Sequence, residues 1–343
     1  MSTGTSTVAT NPIDNVRRGA DCAVTALIPC YNEEACIERA YREIAAELEH
    51  FTECEILFVD DGSTDTTLEK IKAFAAGDER VKFISFARNF GLEAAFSAGF
   101  KYARTKWTVQ LDADLQSPPA EIHTLLDKAL EGYDIVFGIR LNRRDPWLRR
   151  MGSIGHQLVA QKLLGIKLPL RASVFRLVRT SVARRIVETN LRSPYFIATA
   201  PLVGARYIAV PTKHQARVAG VAKWNAARLI SHAMDLWIGF SIRPLALVHL
   251  TAVVAAIAST VLLALLALGW IGPTAIAVAT LVLGSAAFLG LGVLSRYMIP
   301  ALRVRSELPR FYIRETNIPI DQADDLYGSE QPWVGTAQGR PMS

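Results

Sequence analysis

Two apolar runs near the C-terminus limit what this chain can become. Residues 245–268 carry no formal charge apart from the titratable His249, and residues 274–294 carry none at all. At about 24 and about 21 residues, each is long enough to cross a bilayer as a helix. Only Gly269-Trp270-Ile271-Gly272-Pro273 separates them. A link that short turns the pair into a tight helical hairpin. A hairpin buried in a soluble core is the competing reading, but two spans this long and this free of charge rarely occur there. They also account for the high apolar share of 50% and the mean hydropathy of +0.21.

Flanking charge sets the expected orientation. Arg228 and Arg243 precede the first run, Arg296, Arg303 and Arg305 follow the second, and the turn between them is uncharged. The positive-inside rule then places both ends of the hairpin, and all that lies outside it, in the cytoplasm. Trp270 and Tyr297 fall at interfacial positions. The four cysteines, Cys22, Cys30, Cys36 and Cys54, lack a C-x-x-C pair and read as reduced and non-ligating in that compartment. Residues 1–10 are rich in Ser and Thr, with no apolar stretch of the signal-peptide kind.

The first 140 residues alternate between two periods. Strand-like runs at 24–28, 55–59, 81–86, 107–111 and 134–138 interleave with helical patterns at 33–51, 65–76, 92–105 and 119–131. Such alternation predicts an α/β domain with a mostly parallel sheet covered on both faces. Further on, 146–164 reads as helix, 172–178 as strand, 181–189 as helix and 206–210 as strand. Residues 222–241 form an amphipathic stretch suited to the plane of a membrane surface. The expected organisation is a flexible N-terminus at 1–21, a catalytic domain at 22–221, and an interfacial helix at 222–243. Two membrane helices at 244–298 and a cytoplasmic tail at 299–343 complete it.

Ligands in parallel α/β sheets sit at the carboxyl ends of strands, and four polar motifs fall there. Ile28-Pro29-Cys30-Tyr31-Asn32-Glu33 offers a proline and an aromatic ring as a shelf for a nucleobase. Val59-Asp60-Asp61-Gly62-Ser63 offers carboxylates to a base imide or a ribose hydroxyl. Asp112-Ala113-Asp114-Leu115-Gln116 supplies hard oxygen ligands suited to Mg²⁺ or Mn²⁺ with a diphosphate. An extended backbone there would turn Asp112, Asp114 and Gln116 to one side. Gly138-Ile139-Arg140 adds a guanidinium for phosphate. The net charge is +6, and Arg140, Arg143, Arg144, Arg149 and Arg150 form a dense basic run. With a membrane hairpin in the same chain, anionic headgroups or phosphorylated ligands fit that run better than nucleic acid does.

In this order the motifs resemble glycosyltransferase family 2, with its GT-A (Rossmann-like) fold. More narrowly, they resemble the polyprenyl-phosphate glycosyltransferases: dolichol-phosphate mannose synthases, undecaprenyl-phosphate glucosyltransferases and the aminoarabinose transferase of lipid A modification. Arg88-Asn89-Phe90-Gly91, the string from Leu111 to Pro119, Phe175-Arg176-Leu177 and residues 217–224 add to the likeness. The resemblance implies an α/β GT-A domain plus a C-terminal two-helix transmembrane hairpin in the inner membrane, the catalytic domain being cytoplasmic. It implies inverting transfer from a nucleotide sugar, uridine diphosphate glucose by default, to polyprenyl phosphate, and a homo-tetramer.

Carried over residue by residue, Pro29, Tyr31, Glu33, Val59, Asp61, Asp112, Ala113 and Arg140 hold the nucleotide sugar. Asp112, Asp114 and Gln116 hold the metal, while Asp112, Asp114 and Arg140 act in catalysis. Arg217 and Lys223 meet the acceptor and donor phosphates. One departure concerns the acidic residue that many relatives place just before Phe-Arg-Leu; here the run is Ala172-Ser173-Val174. No catalytic base is assigned there. A processive polysaccharide synthase lacks support, since no Gln-x-x-Arg-Trp motif is present. A non-catalytic membrane scaffold that keeps the fold is the other alternative.

Overall fold

The computed structural model describes residues 20–140, 158–159, 162, 172–188, 196–201, 203–213, 215, 234, 238–270, 272–303 and 311–320. One sheet of eight strands organises the first domain. The strands are β1 (Val24–Cys30), β2 (Cys54–Asp60), β3 (Val81–Phe86), β4 (Trp107–Gln110), β5 (Ile135–Arg140), β6 (Ala172–Arg179), β7 (Tyr207–Thr212) and β8 (Ile313–Thr316). Their order is β7-β5-β6-β4-β1-β2-β3-β8. The β4-β1-β2-β3 block is parallel throughout, as is β5 with β7. β6 runs antiparallel between β4 and β5, and β8 antiparallel along β3.

Helices α1 (Ile37–Leu48), α2 (Thr67–Gly77), α3 (Leu92–Tyr102) and α4 (Glu121–Leu130) are the crossovers that a parallel sheet requires. Helix α5 (Thr180–Glu188) and the short α6 (Phe196–Thr199) follow. Strands buried on both faces have apolar side chains facing both ways, so two cores form. Ile28, Phe58 and Val109 pack with α1 and α4 on one face; Leu27, Leu57 and Val59 pack with α3 on the other. The α3 contact is close: a Cβ at Gly99 would stand 2.2 Å from the Leu27 Cδ1.

Helices α7 (Arg243–Ala267) and α8 (Pro273–Arg303) form the hairpin. Their apolar spans, Arg243–Ala267 and Thr274–Met298, reach mean hydropathies of 2.5 and 2.2, with no buried residue described in either. The turn has a local cause. Gly269 adopts φ +71, letting its N–H reach the Leu266 carbonyl at 2.9 Å and the Trp270 N–H reach Leu265 at 3.0 Å. That pair of bonds is a Schellman ending, which favours glycine because a Cβ opposes positive φ. At the other end, the Tyr297 hydroxyl donates to the Ser241 carbonyl at 2.7 Å.

Two expectations need correction. The tail expected at 299–343 contains a strand: β8 joins the sheet, and Phe311, Ile313 and Ile318 are buried in the second core. Four residues with no helical or long apolar pattern gave too little signal, because the partner strand lies more than 200 positions upstream. Also, β4 ends at Gln110, and Asp112 to Gln116 is a turn rather than an extended segment. The interfacial helix expected at 222–243 lies largely outside the described residues, as do Arg143, Arg144, Arg149, Arg150, Arg217 and Lys223.

Candidate active site

Sequence strings far apart in the chain meet at the carboxyl ends of β1, β2, β3 and β4. The loops after β1 and β2 are joined first. The Thr64 N–H donates to the Asn32 Oδ1 at 2.9 Å, the Asn32 N–H to the Ser63 Oγ at 3.0 Å, and the Glu33 N–H to the Thr67 Oγ1 at 2.9 Å. Asn32 has φ 55, a region that asparagine tolerates better than most side chains. This holds the Tyr31 ring 46% exposed at the mouth of the cleft.

The two neighbouring aspartates divide their work. Asp60 is fully buried and structural, accepting from the Ser63 N–H at 3.1 Å and the Ser85 hydroxyl at 2.8 Å. Asp61 lines the cleft and fastens the loop after β3. Its Oδ1 accepts the Phe90 N–H at 2.6 Å and its Oδ2 the Gly91 N–H at 2.9 Å. Burial pushes the Asp61 carboxyl above its ordinary value; the two N–H groups oppose that rise, while Asp60 adds to it.

The metal-type string is presented by a strained turn. The Leu115 N–H bonds back to the Asp112 carbonyl at 3.0 Å, and Leu115 adopts φ 52. A left-handed leucine costs roughly 1–2 kcal/mol, while fully burying its side chain contributes about 1.5–3 kcal/mol. Leu115 is 2% exposed within the first core, so burial holds the turn. Asp112, Asp114 and Gln116 reach the same cleft through this turn, not through strand alternation. Asp114 is itself buried, and its Oδ2 accepts the Gln116 side-chain amide at 2.7 Å.

The resulting cleft has a volume of about 350 Å³. Pro29, Tyr31, Glu33, Asp61, Asp112, Ala113, Asp114 and Gln116 all line it. Val59 does not: its side chain is fully buried in the second core. Arg140 ends β5 opposite Thr212, with its side chain outside the described set. The cleft also takes in Cys30, from the first motif, together with Asn89, Gly91, Leu92 and Ala95, which the sequence did not assign to the site. The signal for them was available, since Asn89-Phe90-Gly91 stands at the carboxyl end of a third parallel strand.

A divalent cation fits this wall in one manner. Among the described residues no three His, Cys, Asp or Glu side chains gather closely enough to hold an ion by themselves. Mg²⁺ is commonly held by one or two carboxylates together with substrate phosphates and water. Asp112 and Asp114 match that donor set. Gln116 turns its amide nitrogen to Asp114, which leaves its carbonyl oxygen as the only atom it could offer to a cation.

Behind the turn lies Arg176 of β6, 3% exposed. It donates to the Gln110 Oε1 and lies 4.2 Å from the centre of the Phe196 ring. Val174, just before Phe175 on the same strand, is half-buried.

Residues 25–187 match the model of Glycosyl transferase family 2. An undecaprenyl-phosphate 4-deoxy-4-formamido-L-arabinose transferase of Salmonella paratyphi A is 32% identical over 308 residues, covering 86% of this chain and 94% of that protein. An uncharacterised glycosyltransferase of Synechocystis is 32% identical over 313 residues, covering 89% and 95%. A solved glucosyl-3-phosphoglycerate synthase from Mycobacterium tuberculosis aligns at a TM-score of 0.45 and 18% identity, over 63% of this chain and 78% of that one, a likeness too loose to bear on the site. The chain belongs to glycosyl transferase family 2 and is a glycosyltransferase.

Proposed function

We propose that this glycosyltransferase moves a sugar from a nucleotide sugar to a polyprenyl phosphate at the cytoplasmic face of the inner membrane, where the hairpin anchors it. One observation carries the reading: an acidic, phosphate-suited cleft belongs to the same chain as two exposed membrane-length helices. The Salmonella relative, matched over nearly its full length, acts by its name on undecaprenyl phosphate. Arginines at both hairpin ends and an uncharged turn support cytoplasmic orientation.

In this reading Tyr31 and Pro29 flank the base, and Asp61 and Glu33 face the nucleoside. Asp112 and Asp114 hold Mg²⁺ or Mn²⁺ together with the donor diphosphate, with Gln116 keeping Asp114 in position. The ion, when bound, offsets the charge on the departing nucleoside diphosphate. Arg140, Arg217 and Lys223 face the donor and acceptor phosphates.

The acceptor is a phosphate monoester, already anionic at neutral pH. Its oxygen needs alignment rather than deprotonation, so the lack of an acid in Ala172-Ser173-Val174 does not obstruct the step. In a single displacement the acceptor oxygen bonds to the anomeric carbon as the bond to the diphosphate breaks, which inverts that carbon. A homo-tetramer built through the hairpins is the assembly the family resemblance favours.

The test uses the full chain in lipid nanodiscs with undecaprenyl phosphate, Mn²⁺ and a panel of labelled nucleotide sugars, uridine diphosphate glucose first. A lipid-linked sugar should form, and both chelation and Asp114→Ala should stop it. Transfer by Asp114→Ala without metal would sink the reading. Long polymer made from donor alone would favour a processive synthase instead.

A further inference from the structure

The chain that leaves the second membrane helix does not simply trail away. Helix α8 ends at Arg303, and Phe311 is already packed in the catalytic domain. Eight residue steps span at most about 29 Å, so the anchor is held within that distance of the sheet edge. There β8 covers β3, the strand whose following loop forms one wall of the cleft.

The contacts run continuously from this strand to the site. The Phe311 ring stacks on Phe86, with centroids 5.1 Å apart and planes 11° apart. The Ala87 N–H donates to the Tyr312 carbonyl at 2.9 Å. The Phe90 ring meets Phe86 edge-on at 5.7 Å and Tyr312 at 6.1 Å, beneath the Arg88 guanidinium at 4.1 Å. The backbone of Phe90 and Gly91 is what Asp61 holds from the other side. The loop is therefore clamped between Asp61 within the cleft and Tyr312 outside it. Gly91, at φ +97, gives it little stiffness of its own.

Anchorage of β8 is firm enough to transmit position. The Asn317 side chain bonds both ways, accepting the Phe83 N–H at 2.8 Å and donating to the Val81 carbonyl at 3.0 Å. Glu315 pairs with Lys72 on α2.

We propose that the segment following the membrane hairpin is a working part of the donor pocket, with Tyr312 as the positioning residue for the loop that carries Asn89 and Gly91. This rests on the reading of the cleft as the nucleotide-sugar site. The anchor that brings the enzyme to its lipid acceptor would thereby also shape the wall that holds the donor.

The experiment compares wild type, Tyr312→Ala and Tyr312→Phe as full chains in nanodiscs. Tyr312→Ala should raise the donor KM by about fivefold, the size an aromatic contact supports, with kcat and acceptor KM within about twofold of wild type. Tyr312→Phe, which keeps the ring, should restore the donor KM. Amide hydrogen exchange at Phe90 and Gly91 should quicken in Tyr312→Ala and return in Tyr312→Phe. Adding Tyr312→Ala to Phe90→Ala should give no further loss, since both remove one contact. A wild type that transfers sugar beside a Tyr312→Ala chain of unchanged donor KM overturns the inference alone. Unchanged exchange at Phe90 and Gly91 overturns it whatever the cleft binds, and inactivity of the wild type with every donor counts against the function reading.

Discussion

Gln116 donates its side-chain amide to Asp114 across 2.7 Å, around a turn that exists because Leu115 accepts a positive φ. Asp114 is thereby aimed before any ligand arrives. Replacing Gln116 with Ala should leave transfer measurable but raise the Mn²⁺ concentration needed for half-maximal rate by about tenfold, about 1.4 kcal/mol, within reach of one hydrogen bond to a charged group. Asp114→Ala should lower kcat by at least about a hundredfold. Metal titrations of the two variants check the order; equal effects would show that Gln116 does more than orient Asp114.

Arg176 is a second buried support, one strand away. Removing it strips the Gln110 Oε1 of its donor, while the Gln110 Nε2 is already without a partner. It also removes a desolvated contact with Phe196. Arg176→Ala should destabilise the chain by roughly 3 kcal/mol. Arg176→Lys should recover less than half of that, because an ammonium cannot lie flat on the ring while reaching Gln110. Thermal melts of the detergent-solubilised protein measure both.

Glu93, in the first turn of α3, gives a pH dependence. Burial raises its carboxyl above the ordinary value, and Arg176 only partly offsets this. Between the ordinary value, about 4.3, and the raised native value, the folded chain binds more protons than the unfolded one. Stability therefore falls as pH rises through that window, and the full cost is present above it. Glu93→Gln should melt higher than wild type at pH 7, with the advantage shrinking toward zero below the ordinary carboxylate value. Parallel melts from about pH 4 to pH 8 decide it; an advantage independent of pH would point to packing instead.

How much of this could be read beforehand depended on the range of the interaction. The β1 to β4 alternation and the cleft strings at Pro29, Asp61 and Asp112 were legible because period and strand-end position are local properties. What brings Asp112 and Asp114 to the cleft was hidden in the sequence: Leu115 is not a residue type that announces a left-handed turn, and only its burial explains it. Asn89 and Gly91 were visible as a string but lacked a role until Asp61 was seen holding the loop. β8 was invisible, because its only reason to be a strand is an edge far upstream.

Gly62 tests how tightly the two cleft loops are matched. It sits at φ +70, and a Cβ there would stand 2.5 Å from the Arg88 carbonyl carbon. Both the backbone angle and the space exclude a side chain. Gly62→Ala should destabilise by about 2 kcal/mol or more, a melting shift of several degrees. It should also weaken donor binding, since relief can come only by moving the 88–91 loop off Asp61. Calorimetric titration of the nucleotide sugar with Mn²⁺ reads the second effect; a destabilised variant with intact donor affinity would mean that the loop moves without disturbing the wall.

The return of the chain at β8 makes membrane topology a question with one answer. β7 and β8 belong to one sheet, so the ends of α7 and α8 that connect to them must open on the same side of any bilayer the hairpin enters. The turn at Gly269 and Trp270 must then lie on the other side. In a chain whose four native cysteines are replaced by Ser, a cysteine introduced by Gly272→Cys should react with an impermeant maleimide added to intact spheroplasts. One introduced by Ser241→Cys, two residues before Arg243, should react only after lysis. Labelling at both positions from outside would break the link between hairpin and sheet, and labelling of Ser241→Cys alone would reverse the orientation drawn from the arginines.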